Sequence, residues 1–265
     1  MEHDLFSPPV ITALLVCLAA ASATTLGAFT VFTSRDSNPR FLAFGLAFAG
    51  GAMVYISMVE IFWKSMSSFS AIFPDKIAYS HATIAFFAGI ILLVLLDRLI
   101  PNPHNELTSP ENKDKDKLGR LGFLAAIAIT AHNFPEGMAT FFATLEDPVV
   151  GTSLAVAIGV HNVPEGISIA IPVYYATNSK KLTFIACLLS GLAEPVGALI
   201  GYLILSQFLT PFVFGSVFGI IAGAMVFLSM DELLPTAKRY SSGHDTVYGM
   251  VIGMAVIALS LVLFR

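Results

Sequence analysis

Long apolar segments follow one another along almost the whole chain and are separated by short polar breaks. Eight segments are each long enough to cross a hydrocarbon core of about 30 Å as a helix that rises about 1.5 Å per residue. Unbroken runs such as GIILLVLL are not the alternating strands of a membrane β-barrel. The pattern therefore predicts an all-α integral membrane protein with eight transmembrane helices at about 8–33, 39–66, 77–100, 119–143, 149–176, 182–208, 211–238 and 245–264.

These segments leave little chain for a soluble domain, so we expect a single membrane domain over 1–265. Within it, helices 1–3 occupy 8–100, a polar connector occupies 101–118, helices 4–5 occupy 119–176 and helices 6–8 occupy 182–264. Composition agrees with this class, because 56% of the residues are hydrophobic and 12% are charged. The first segment resembles a signal peptide at LAAASA, but it follows Glu2 and Asp4 instead of lysines, and its apolar run continues. We therefore expect an uncleaved helix.

Lysine and arginine are distributed unequally between the two sides of the predicted bundle. Most lie in the connections 1–2, 3–4, 5–6 and 7–8, whereas Lys64, Lys76 and Arg265 fall on the other side. The positive-inside rule then predicts that both termini lie outside and that the 3–4 connection is cytoplasmic. His104 in that connection is read as a solvated loop residue, and His81 at the start of helix 3 as an interfacial one.

The chain also repeats itself internally. GAMVYISMVEI from Gly51 and GAMVFLSMDEL from Gly223 share seven of eleven residues, and TLGAF from Thr25 echoes PVGAL from Pro195. Five helices separate the copies, so each copy is predicted to cross the bilayer in the opposite direction to its partner. Inverted repeats of this kind are typical of secondary transporters, whose substrate site lies near the midplane where the repeats meet.

A second pair of similar stretches, HNFPEG and HNVPEG, begins at His132 and at His161. Helical residues four apart share a face, so each stretch presents an imidazole and a carboxylate together. Proline removes a backbone hydrogen bond and is predicted to kink each helix, which exposes a carbonyl in the membrane. The glycine that ends each stretch is predicted to bring helices 4 and 5 close together.

Several carboxylates fall inside the predicted spans, where each costs roughly 2.5–3.5 kcal/mol at a helix centre. They must face one another, water or a cation. The paired motifs predict two adjacent positions: one with two histidines and two glutamates, and one with two asparagines and the same glutamates, to which Glu194 adds an oxygen. Imidazole with hard oxygen and no thiolate suits divalent zinc, iron, cobalt or manganese. The six carboxylates are Glu60, Glu136, Glu165, Glu194, Asp231 and Glu232.

Structural alternatives remain for these groups, since an intramembrane histidine or glutamate often serves as a hydrogen-bonding partner between helices. Glu60, Asp231 and Glu232 lie near the predicted ends of helices 2 and 7. There a capping or interfacial role competes with one in the cation pathway or in proton release. Cys17 and Cys187 are read as small core residues.

The motifs HNFPEGMATF, HNVPEGISIAIPVY, SGLAEPVGA and SMDELLPTAK resemble those of the ZIP (Zrt/Irt-like) family of divalent metal transporters, most closely its bacterial members. The resemblance implies an eight-helix fold in a 3+2+3 arrangement, a homodimer in the bacterial inner membrane, and elevator-like movement of one block against another. It implies uptake of zinc, and of iron, cobalt, manganese or cadmium, through a two-metal centre. The zinc-like position would use His132, Glu136, His161 and Glu165, and the iron-like position Asn133, Glu136, Asn162, Glu165 and Glu194.

No G-x-x-x-x-G-K-[ST] motif occurs, so we expect a gradient-driven carrier with no nucleotide, nucleic-acid partner or resident cofactor. Two other classes compete with this interpretation. A membrane-embedded metalloenzyme would use a bound ion to activate water, but the chain has no H-E-x-x-H and leaves no obvious general base. A passive channel for divalent cations is the third possibility.

Overall fold

The computed structural model describes residues 5–33, 39–98, 130, 133–208 and 210–264. Helices account for nearly all of this part of the chain, and it contains no strand. Helices α2 and α7 each contain a π-helical turn, and α6 ends in a 3₁₀ turn, Ser206–Phe208. The helices are α1 (Pro8–Thr33), α2 (Pro39–Ile56, Ser57–Ile61, Phe62–Ser70), α3 (Asp75–Asp97), α4 (described over 133–146), α5 (Pro148–Thr177), α6 (Lys180–Leu205), α7 (Pro211–Leu228, Ser229–Leu233, Leu234–Tyr240) and α8 (Asp245–Phe264).

Seven of these helices are long and apolar enough to cross a membrane, by length and composition, within the described ranges. They correspond to seven of the eight predicted segments. The remaining segment, 119–143, lies mostly outside the described residues, so the eighth crossing stays a prediction. All-α membrane architecture is therefore confirmed in its main features.

Polar residues in short connections explain where several helices begin. Asp147 accepts hydrogen bonds from the amides of Val149 and Val150 and starts α5, and Ser179 and Thr210 cap α6 and α7 in the same way. Asn178, with φ of 49°, adopts the left-handed conformation that ends α5. Such caps satisfy amides that have no partner within the helix, which is why these connections need only a few residues.

Close contacts at glycines hold the helices together in two tightly packed blocks. In the first block, which holds α1, α4, α5 and α6, Gly27 lies directly against the backbone of Gly166. In the second block, which holds α2, α3, α7 and α8, Gly51 lies against Met250. A Cβ at either glycine would overlap backbone atoms of the neighbouring helix. Close approach of this kind is how small residues drive helix association in membranes.

Contacts between the two blocks are looser. Helix α2 packs against α5, and the glycine at this contact, Gly45, would place a Cβ 3.6 Å from the ring of Pro164, an ordinary van der Waals distance. Within the described residues, every glycine whose Cβ would come closer than 3.0 Å to the backbone of another helix meets a helix of its own block. The boundary between blocks thus lacks the backbone interlocking that holds each block together.

Repeated stretches of sequence make matching contacts. Gly51 faces α8 and its counterpart Gly223 faces α3, while the π-helical turns of α2 and α7 begin at the corresponding serines, Ser57 and Ser229. These pairs support the internal repeat that the sequence indicates. The opposite direction of the two copies stays a prediction.

The motif glycines have other partners than expected. Gly137 on α4 approaches the backbone of Glu194 on α6, and Gly166 on α5 approaches Thr24 on α1. The expectation that they join α4 to α5 was therefore wrong. Sequence shows that a glycine allows close approach, but the partner helix depends on the tertiary arrangement.

Candidate metal centre

Three of the predicted ligands converge in the interior of the first block. Glu136 on α4 and His161 and Glu165 on α5 are fully buried. One ligand atom from each lies within 4.8 Å of the others. The Nε2 atom of His161 lies 3.1 Å from Oε1 of Glu136. His161 and Glu165 are four residues apart on a continuous helix, which is why one helix face supplies both groups.

The spacing of these atoms fits a single ion. Ligands at about 2.1 Å from a tetrahedral zinc ion are about 3.4 Å apart, so atoms within 4.8 Å of one another need to move only slightly. Two buried carboxylates also balance the charge of a divalent cation, which offsets the cost of removing all three charged groups from water. The group is therefore suited in charge, chemistry and geometry to a borderline divalent metal ion.

His132, the remaining predicted ligand of this position, lies outside the described residues. It precedes Glu136 by four positions in the sequence. Its participation stays a prediction.

A second set of buried oxygen atoms lies at the neighbouring asparagines. Asn133 donates its Nδ2 hydrogens to the Ser190 carbonyl at 3.0 Å and to Ser190 Oγ at 3.3 Å. Asn162 donates to the Ala20 carbonyl at 3.1 Å and to Glu194 Oε1 at 2.6 Å. The amide nitrogens are thus engaged by the protein, and this orients both carboxamides.

The oxygens of the same groups remain for another partner. Asn133 Oδ1, Asn162 Oδ1 and Glu194 Oε2 are buried and have no hydrogen-bond partner among the described residues. Buried polar atoms are normally satisfied, so three such oxygens from α4, α5 and α6 need an explanation. A hard cation coordinated by oxygen ligands supplies one.

Ser190 is a residue of this candidate site that sequence reasoning missed. It is buried, and both its carbonyl and its hydroxyl accept hydrogen bonds from Asn133. Because it precedes Glu194 by one helical turn on α6, it shares a face with that carboxylate. The four-residue spacing between Ser190 and Glu194 in SGLAEPVGA is the sequence signal that would have identified it.

Both cysteines lie directly behind the motifs. Cys17 on α1 donates its thiol to the Gly137 carbonyl at 3.7 Å, and Cys187 on α6 donates to the Gly166 carbonyl at 3.4 Å. Each is fully buried. They are packed core residues, as predicted, and the glycines that they contact directly follow Glu136 and Glu165.

Glu60, Asp231 and Glu232 lie elsewhere. Each belongs to the π-helical turn of α2 or α7, beyond which the helix continues for nine residues in α2 and for seven in α7. They lie about two to three turns before the C-terminal ends of the 28-residue and 30-residue spans, so none of them is a terminal cap, and a role in the cation pathway stays a prediction. Glu60 is buried and the other two are partly exposed. None belongs to the three-residue group that fits a metal within the described part of the chain.

His81, the other histidine of the sequence analysis that the structure describes, does not belong to the group that fits a metal. His81 stacks on Phe73 with ring centroids 4.7 Å apart, and its Nδ1 lies 2.9 Å from the Ile77 carbonyl. His104 lies outside the described ranges.

Comparison with known proteins identifies the family. The model of the family described as ZIP Zinc transporter matches residues 101–261, a range that contains both paired motifs. The chain belongs to the ZIP zinc transporter family. A ZIP protein of this family is a transporter and not an enzyme, so the metalloenzyme interpretation is not favoured.

Relatives extend this similarity over nearly the whole chain. The chain is 58% identical to the zinc transporter ZupT of Stenotrophomonas maltophilia (strain K279a) over 257 residues, which cover 96% of each protein. It is 60% identical to ZupT of Neisseria meningitidis serogroup C over 254 residues, 94% of each. It is 47% identical to ZupT of Chlorobaculum parvum over 266 residues, 97% of this chain and 99% of the relative.

Proposed function

We propose that this ZIP protein takes up zinc into the cytoplasm across the bacterial inner membrane and also carries iron, cobalt, manganese or cadmium. The observation that carries the proposal is the fully buried group of Glu136, His161 and Glu165, whose ligand atoms lie within 4.8 Å of one another. Burial of two carboxylates in a membrane protein is costly without a cation. Three relatives named as zinc transporters, similar over nearly their whole length, support zinc as the principal cargo.

The centre is proposed to be binuclear. His132, Glu136, His161 and Glu165 form the first position, and the same glutamates bridge to a second position with Asn133, Asn162 and Glu194. Support comes from the three buried oxygens of the last three residues that lack a hydrogen-bond partner among the described residues. The second position has only oxygen ligands, so it favours harder ions such as iron(II) and manganese(II) over zinc.

Carrier movement is proposed to follow the boundary between the two blocks. Helices α4, α5 and α6 hold the predicted ligands and, together with α1, are interlocked by glycines, whereas the contact of α2 with α5 at Gly45 is an ordinary one. A 3+2+3 inverted repeat would relate the outward-open and inward-open states of such a carrier. The corresponding glycine contacts of α2 with α8 and of α7 with α3 support this symmetry.

Topology and assembly complete the proposal. Both termini lie outside, the 3–4 connection is cytoplasmic, and the transporter is a homodimer. The lysine and arginine distribution supports the orientation, and the homodimer is carried over from the family. Transport is driven by ion gradients, since the sequence contains no nucleotide-binding motif.

The test is zinc uptake into vesicles that contain the purified protein and a trapped zinc-sensitive dye. Wild type is expected to saturate at low zinc concentration and to depend strongly on temperature. The double variant His161→Ala, Glu165→Ala is expected to lose uptake. The matched control is His244→Ala, which changes an exposed histidine at the start of α8.

Two outcomes would overturn the proposal. Unchanged uptake in the double variant, with the protein folded and inserted, would exclude the assigned ligands. Conductance through single molecules that does not saturate would favour a passive channel instead.

A further inference from the structure

Thr24 on α1 has an unusual environment for a helical threonine. It is fully buried, and its hydroxyl has no hydrogen-bond partner among the described residues. Threonine hydroxyls in helices often donate to the carbonyl four residues earlier, as Thr140 does to Glu136 at 3.1 Å. For Thr24 that carbonyl belongs to Ala20, which accepts instead from Asn162 Nδ2 at 3.1 Å. The hydroxyl therefore remains for a partner that the described protein does not provide.

The surroundings of Thr24 place it beside the second metal position, here called the asparagine-lined position, to which Asn133, Asn162 and Glu194 contribute. Its backbone carbonyl lies against Gly166 on α5, and its Oγ1 lies 3.3 Å from where a Cβ of Gly191 on α6 would be. Gly191 lies between Ser190 and Glu194 in sequence. Thr24 thus occupies the junction of α1 with the two helices that carry Asn162 and Glu194.

The internal repeat gives Thr24 a counterpart. When Gly27 is aligned with Gly197, Thr24 aligns with Glu194 and Ala20 aligns with Ser190. The Ala20 and Ser190 carbonyls each accept from one motif asparagine, at 3.1 Å and 3.0 Å. The asparagine-lined position is therefore bordered by two helices that the repeat makes equivalent. At matching places, α6 carries the Glu194 carboxylate and α1 carries the Thr24 hydroxyl.

We propose that the Thr24 hydroxyl holds a water molecule that stays on the cation at the asparagine-lined position. A threonine side chain is shorter than a glutamate, so a hydroxyl at the counterpart of Glu194 leaves room for one water between Oγ1 and the ion. A retained water suits manganese(II) and iron(II), which accept more oxygen ligands than tetrahedral zinc. This inference rests on the proposed function and assigns Thr24 a positioning role in its second metal position.

The test compares Thr24→Val, which keeps the shape and removes the hydroxyl, with Thr24→Ser, which keeps the hydroxyl. The control is Thr25→Val at the adjacent residue, whose hydroxyl donates to the Ser22 carbonyl at 2.6 Å. Manganese binding to the purified protein is followed by the loss of the free-ion paramagnetic resonance signal. Broadening in oxygen-17 water counts the waters on bound manganese, and zinc affinity is measured in parallel with a competing chelator.

Thr24→Val is expected to bind manganese about tenfold more weakly, as is typical when a partner beyond the direct ligands is lost, and to retain one water fewer. Zinc affinity is expected to stay unchanged, and Thr24→Ser and Thr25→Val are expected to match wild type. Unchanged manganese binding and water count in Thr24→Val would overturn the inference, and so would an equal loss for zinc and manganese. If Thr24→Val does not fold, Thr24→Ala decides in the same assays. Failure of wild type to bind either ion would instead contradict the proposed function.

Discussion

Neutralising Glu136 tests the two-position centre most directly. The carboxylate is fully buried, and its Oε1 lies 3.1 Å from His161 Nε2. Glu136→Gln keeps the length of the side chain and an oxygen acceptor for the imidazole. It removes one of the two negative charges that both proposed positions share, so packing is largely conserved while cation attraction falls.

The size of the effect follows from complete burial. Removing one partner of a buried charge pair costs about 2–5 kcal/mol. At about 1.4 kcal/mol for each factor of ten, this weakens binding by roughly 30-fold to several thousand-fold. Solvent screening does not reduce the effect, because no part of Glu136 is exposed.

Equilibrium binding of zinc and of manganese to purified protein, together with vesicle uptake, measures the change. Glu136→Gln is expected to weaken both ions, because the residue bridges both positions. Glu194→Gln is expected to weaken manganese alone, since Glu194 lies beside Asn162 at 2.6 Å in the second position. Wild-type affinity for both ions in Glu136→Gln would refute the assignment, and loss of only one ion would refute the bridging role.

Three further predictions concern other residues. Ser190→Ala removes one of the two hydrogen bonds that orient Asn133. The loss of about 1 kcal/mol is expected to weaken manganese binding several-fold in the same titration, while zinc binding is retained. Gly223→Val places a side chain against the α3 backbone. It is expected to destabilise the folded protein by about 1–3 kcal/mol or more, as measured by thermal unfolding in detergent. An unchanged midpoint would contradict the close packing of α7 against α3 in the second block. Glu60→Gln, at a buried π-helical turn outside the metal group, is expected to slow zinc uptake while equilibrium zinc affinity stays constant, and loss of that affinity would place it among the ligands.

Much of the fold is predictable from the length of the apolar runs in the sequence. Seven predicted crossings have counterparts in the structure because a helix satisfies its own backbone hydrogen bonds and so needs no distant partner. Boundaries differ by a few residues where caps extend a helix, as at Asp147 and Ser179. The His161 and Glu165 pair is equally local, since the helical repeat alone places both on one face.

Features that depend on distant contacts were not predictable. The motif gives Asn133 and Asn162, but the orientation of their amides depends on carbonyls of Ser190 and Ala20 in other helices. The π-helical turn that holds Glu60 is likewise not evident from the apolar pattern. Sequence therefore indicated the ligand types, while tertiary packing determined which of their atoms face the same space.

The two buried thiols give the protein a natural pair of chemical reporters. The chain contains two cysteines, and each contacts the glycine carbonyl that follows a motif glutamate. Buried thiols in apolar surroundings react slowly, so alkylation of Cys17 or Cys187 requires α1 to separate from α4, or α6 from α5. The rate of modification in the native sequence thus measures whether the first block stays intact while cargo crosses the membrane.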